Sequence, residues 1–182
     1  MSDERLRLFC ALQLPDETID DLAAWQEVNL RGGRIVPREN LHVTLAFLGS
    51  RPAAEVPAIM GELRGASSVA EPIELRPVRY RETRSVGMIV LEDVGGAATA
   101  LAEDLAERLE RRGVYRSERR PWLSHVTVLR FRERAGLSPE VGNIRSINVV
   151  RSALYRSSLG RGPAGNRGAR YDALETAALG GR

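Results

Sequence analysis

Leu41-His42-Val43-Thr44-Leu45 and Ser124-His125-Val126-Thr127-Val128 hold the only two histidines of a 182-residue chain. The histidines stand 83 positions apart, and each is followed two places on by threonine. With six threonines available, chance gives that double coincidence with a probability of roughly 0.001. Both stretches are rich in β-branched and apolar residues and are expected as strands. Residues i and i+2 of a strand share a face, so His42 and Thr44 point one way while Val43 and Leu45 point into a core. The same holds for His125 and Thr127 against Val126 and Val128. Duplication at nearly half the chain length predicts two lobes, each giving one such strand.

Working outward, Leu6, Leu8, Cys10, Leu12 and Leu14 alternate with Arg7, Phe9, Ala11 and Gln13, a period-2 run that reads as a first strand. Pro15 and Asp16 open a helix with Ile19, Leu22, Ala23 and Trp25 on one face, closed by Gly32-Gly33. Gln26 falls on that apolar face and blurs it. A short strand at 34–36, a turn at 37–40 and the strand at 41–48 follow. A second helix carries Val56, Ile59, Met60 and Leu63, with strands expected at 73–75 and 86–91 and an Arg-rich connection at 76–84 between them. Leu101, Leu105 and Leu109 mark the clearest helix, stopped by Gly113. Residues 122–131 read as a strand, and 147–155 and 169–177 as a closing pair joined by a Gly-rich loop at 160–168 that carries Arg161 and Arg167. Strands and helices are interspersed without strict alternation, which favours α+β with antiparallel pairing over a doubly wound sheet.

Composition narrows the chemistry. All 27 basic residues are arginine, so no lysine serves as Schiff base, nucleophile or phosphate-loop residue. Any phosphate held by charge is held by guanidinium groups, whose planar forks suit its oxygens. Cys10 is the single cysteine, and one thiol with two histidines does not fill a structural zinc shell, so neither metal nor cofactor is expected. The net charge of +3 hides an asymmetry: residues 108–170 hold 15 arginines against 4 acids. A polyanion such as nucleic acid is the partner that region would attract. No apolar run spans a bilayer, and the charged start does not resemble a signal peptide, so a cytoplasmic protein without a membrane partner is expected. No heptad pattern suggests a dimer, and a monomer is expected.

Two strands facing across a cleft would offer two imidazoles and two hydroxyls. Imidazole, with an unperturbed pKa of ~6.5, serves as base on one side of a reacting centre and as acid on the other. Hydroxyl donors suit the non-bridging oxygens of an anion between them. In-line displacement at phosphorus needs one group to deprotonate the nucleophile, one to protonate the leaving oxygen, and donors for the equatorial charge. Geometry alone leaves open which histidine takes which role. A serine hydrolase would lack its G-x-S-x-G elbow and leave one His-x-Thr copy without a use.

The stretches 41–49 and 121–130 resemble the two signature motifs of the two-histidine phosphoesterase superfamily, and within it those of the RNA 2',3'-cyclic phosphodiesterases, also called 2'-5' RNA ligases. Residues 7–15 resemble that family's first strand, and Leu154-Tyr155-Arg156-Ser157 its late strand. The resemblance implies one two-lobed domain over 1–182, pseudo-twofold, with two mainly antiparallel sheets flanking a central cleft and helices packed outside. It implies metal-free hydrolysis of RNA 2',3'-cyclic phosphate ends, those of tRNA fragments among them, to 2'-phosphomonoesters, with reversible 2'-5' ligation as a related activity. It assigns His42 as proton donor and His125 as proton acceptor, with Thr44 and Thr127 beside them. Ser124 stands where the family often has proline. Arg130 and Phe47 each sit five places after a histidine, on the opposite face by strict parity, so a role for either requires a bulge. Arg130 is expected as a phosphate or sugar contact and Phe47 in the core. The competing functions are a non-catalytic RNA-end-binding module and a phosphodiesterase acting on a small cyclic nucleotide.

Overall fold

The computed structural model describes residues 4–161 and 167–180. In chain order these form β1 (Arg5–Gln13), α1 (Asp16–Asn29), β2 (Arg34–Ile35), β3 (His42–Pro52), α2 (Val56–Ser68), β4 (Ile73–Glu82), β5 (Val86–Val94), α3 (Ala97–Arg111), β6 (His125–Arg130), β7 (Ile147–Val149), β8 (Arg151–Arg161) and β9 (Arg167–Ala178). One sheet has the order β3-β1-β8-β9, the other β2-β6-β5-β4-β7, and the pairings are antiparallel. The fold is α+β with two antiparallel sheets, as the interspersed elements suggest. The two His-x-Thr strands lie one in each sheet. Among the described residues no helix is long and apolar enough to cross a membrane.

The duplication seen in the sequence is a repeated unit of strand, helix and antiparallel strand: β1-α1-β3 in one half and β5-α3-β6 in the other. Helix α1 carries Asp16 and Glu17 in its first turn, where acids meet the positive end of the helix dipole. It buries Thr18, Leu22, Trp25 and Gln26. The start of α3 is tied down by Asp93, whose carboxylate accepts from the backbone of Ala98 and Thr99 at 3.1 and 2.7 Å. Its buried stripe is Ala98, Leu101, Ala102, Leu105 and Leu109. In β1, Leu8, Cys10 and Leu12 join the apolar core while Phe9 turns to the opposite face, where it is still fully buried.

Three sequence expectations are corrected. Residues 76–84 are mostly strand, since β4 continues to Glu82 with its arginines outward. Pro77 is tolerated because the ladder to β5 shifts register between Pro77 and Arg79, where a missing N–H does little harm. The strand expected at 122–131 begins only at His125: Pro121 has no N–H to give, and Trp122 is turned away towards β3. Residues 147–155 are two strands in different sheets, β7 on β4 and β8 on β1, with the chain crossing over at the exposed Val150. The run reads as one strand because both sheets bury it. In the Gly-rich loop, β8 runs out to Arg161 and β9 starts at Arg167, and residues 162–166 lie outside the described residues.

Candidate active site

Both histidines are held in the same way. His42 Nδ1 lies 2.7 Å from the carbonyl of Asn40, and His125 Nδ1 lies 2.8 Å from the carbonyl of Leu123, in each case two residues upstream. A carbonyl only accepts, so Nδ1 carries the proton in both rings and Nε2 of the neutral imidazole presents its lone pair. His42 Nε2 in turn lies 3.0 Å from Thr44 Oγ1, which makes that hydroxyl the donor. The ring is packed at 4.9 Å from Phe9 and 5.4 Å from Tyr171, centroid to centroid. Burial among these groups pushes its pKa down to about 4, against the opposing effect of the Asn40 bond. Positive charge on His125, when that ring is protonated, and on Arg130 adds to the fall.

The parity of the two strands is broken at the same place in each. Opposite β1, Thr44 pairs with Ala11 and Ala46 with Cys10, leaving Leu45 as an extra residue. Opposite β5, Thr127 pairs with Met88 and Leu129 with Gly87, leaving Val128 extra. A bulge three places after each histidine returns position five to the histidine's face. Phe47 and Arg130 are accordingly exposed to the cleft. Phe47 is 48% exposed and stacked on Phe9 at 5.8 Å, so its expected place in the core is wrong. The guanidinium of Arg7 lies 5.2 Å from the centre of its ring.

His42, Thr44, Phe47, Thr127 and Arg130 thus line one pocket of about 60 Å³, together with Phe9, Val36, Asn40 and Tyr171. His125 is not part of that wall; it shares the strand face of Thr127, and its charge is felt at His42. The segment that leads into β6 is tied to β3 by the indole N–H of Trp122, which donates to the Thr44 carbonyl at 3.0 Å. Val36, Asn40, Arg130 and Tyr171 also line a groove of about 560 Å³ that continues the pocket along Arg34, Pro37 and Arg170. Arg34 and Arg130 are direct cross-strand partners. Among the described residues no group of three or more His, Cys, Asp or Glu is placed to hold a metal ion.

Asn40, Phe9, Trp122 and Tyr171 were not singled out by sequence reasoning. Phe9 was on the polar side of the β1 alternation, which is a signal of a cleft-facing aromatic. Asn40 acts through its backbone carbonyl, which no side-chain pattern marks, and its amide Nδ2 binds the Ala169 carbonyl at 2.7 Å.

The description "LigT like Phosphoesterase" belongs to the family model that matches residues 12–84. An RNA 2',3'-cyclic phosphodiesterase of Escherichia coli (strain K12) is 31% identical over 164 residues, covering 87% of this chain and 91% of the relative. Among solved structures, E. coli LigT complexed with 3'-AMP superimposes with a TM-score of 0.82 at 31% identity, over 97% of this chain and 99% of that one. A protein of Thermus thermophilus matches with a TM-score of 0.81 at 29% identity and the same coverage.

Proposed function

The chain belongs to the LigT-like phosphoesterases, the family of the RNA 2',3'-cyclic phosphodiesterases, and from that premise we propose the reaction its cleft performs. It hydrolyses the 2',3'-cyclic phosphate at an RNA end to a 2'-phosphomonoester. The observation that carries this reading is the delivery of a His-x-Thr strand from each sheet to one pocket with both Nδ1 atoms anchored.

His125 Nε2 takes a proton from water as the water oxygen attacks phosphorus. The P–O3' bond breaks in line with the attack, and His42 Nε2–H gives its proton to the departing O3'. The proton then held by His125 returns to His42 through solvent, which restores both rings. In the empty site His42 is neutral at pH 7, because its pKa is about 4. The negative charge of the cyclic phosphate opposes that depression, so substrate itself favours the protonated acid. Once Nε2 carries a proton it no longer accepts from Thr44, and the freed hydroxyl donates to a non-bridging oxygen. Thr127 serves the other oxygen and Arg130 the equatorial charge.

The groove favours RNA over a free cyclic nucleotide. The pocket holds little more than the phosphate, whereas the 560 Å³ beyond it admits the strand, with Arg34 and Arg170 along its wall. The same attack made by a ribose 5'-hydroxyl in place of water, with its proton taken by His125 and O3' again leaving with a proton from His42, gives 2'-5' ligation without ATP, because the cyclic phosphate supplies the activated bond. We place the reaction in the cytoplasm, on a monomer acting as one two-lobed unit over 1–182. The apolar cluster joining Leu8 and Val43 of one sheet to Ile89 and Val126 of the other supports that unit.

The test is incubation of the protein with a 2',3'-cyclic-phosphate oligoribonucleotide in chelator, with the product's phosphate position identified. A 2'-phosphate formed at undiminished rate is expected, and faster than from the cyclic mononucleotide. A 3'-phosphate, or turnover that requires an added divalent ion, would overturn the mechanism; preference for the mononucleotide would make the substrate a small metabolite. Binding of the end without turnover would make the protein a recognition module.

A further inference from the structure

Gln26 is the one buried amide side chain of α1, and it is 2% exposed. An amide buried without partners is costly, so its bonds account for its presence there. Its Nε2 donates to the Val128 carbonyl at 2.9 Å and to the Val36 carbonyl at 3.1 Å. Val128 is the extra residue of the β6 bulge, and its carbonyl also accepts from Val36 N at 3.0 Å. One side chain therefore uses both of its hydrogens to close the β2–β6 ladder at the point where β6 changes parity. Beyond that point Leu129 and Arg130 pair with Ile35 and Arg34.

We propose that Gln26 is a positioning residue for the reaction: its buried amide locks the Val128 bulge, and the bulge turns Arg130 into the cleft. Without the bulge, strict alternation would put Arg130 on the core side, since Thr127 already faces the cleft and Arg130 is an odd number of residues on. The carbonyl of Val128 has two partners that hold it to β2, and Gln26 is the one that comes from outside the sheet. The inference rests on Arg130 contacting the phosphate, as proposed above.

The experiment is a double-mutant cycle on kcat/KM with a cyclic-phosphate dinucleotide. Gln26→Met keeps length and burial but removes both donors, and is expected to lower kcat/KM about tenfold or more, with Arg130→Ala lowering it further. The double variant should be no worse than Arg130→Ala alone, because an arginine already misplaced has little left to lose. The control is Phe47→Ala, which sits past the other bulge and should combine with Gln26→Met multiplicatively. A Gln26→Met protein that combines multiplicatively with Arg130→Ala, or fails to multiply with Phe47→Ala, has a general packing defect and overturns the proposal. Unchanged kcat/KM in Gln26→Met overturns it too. If Gln26→Met does not fold, the same cycle is read on Gln26→Asn, whose amide falls one methylene short of the two carbonyls. Unaltered turnover in Arg130→Ala itself would instead remove the premise about the phosphate, and the inference with it.

Discussion

Thr44 Oγ1 donates to His42 Nε2 across 3.0 Å, and it can do so only while the ring is neutral. Among the described residues no corresponding bond joins Thr127 to His125. The two His-x-Thr strands are alike in sequence, burial and bulge, yet this bond makes them chemically unequal. It stabilises neutral His42 in the empty site and leaves the Thr44 hydroxyl free to donate elsewhere when His42 is protonated.

The first expected consequence is proton uptake on anion binding. Sulfate does not titrate between pH 4 and 7, so any proton taken up when it binds enters the protein. With His42 at about 4 in the free site, an anion in the pocket raises that value, and binding at pH 5 should take up a substantial fraction of a proton. Calorimetry in buffers of different ionisation heat measures it. His42→Gln should abolish the uptake, and uptake that persists in that variant would place the proton elsewhere.

Stability should depend on pH through the same ring. The folded pKa of about 4 lies below the ordinary 6.5, so the unfolded chain binds more protons between those values. Stability is therefore complete above about pH 6.5 and falls as the pH drops to about 4, by roughly 3 kcal/mol from this group. Urea unfolding at pH 7.5 and 4.5 should show a smaller difference for His42→Gln than for the natural chain. Equal differences would mean that the ring is solvated in the folded protein.

The two threonines should not behave alike. Thr127→Val removes the hydroxyl proposed to donate to the phosphate and should lower the height of the pH–kcat profile without moving it. Thr44→Val also removes the donor that favours neutral His42, so its acid-side group should titrate higher. Profiles that shift equally in both variants, or in neither, would contradict the asymmetry of the bonds.

Changing the leaving group should separate the two histidines. Ala at either position is expected to cost roughly 10² to 10⁴ in rate on the cyclic phosphate. A nitrophenyl phosphodiester needs no proton on departure, so it should partly rescue His42→Ala and leave His125→Ala slow. Rescue confined to His125→Ala would exchange the two roles.

The chain's local pattern was enough to announce the pair of strands and the face that carries their imidazoles and hydroxyls. Those are short-range properties: the parity of i and i+2 and the ionisation of a side chain need no knowledge of distant residues. Gln26 looked like a flaw in an amphipathic helix, and Phe47 like a core residue. Their meaning depends on bulges at Val128 and Leu45, which arise only when β6 meets β5 and β3 meets β1. The anchoring of both Nδ1 atoms comes from backbone carbonyls, which every residue carries and which no composition reveals. The same holds for His42, whose depressed pKa follows from Phe9 and Tyr171 closing over it from β1 and β9. Sequence by itself determined which imidazoles and hydroxyls the two strands carry; tertiary packing decided their protonation and their aim, because desolvation and strand register are properties of neighbours far apart along the chain.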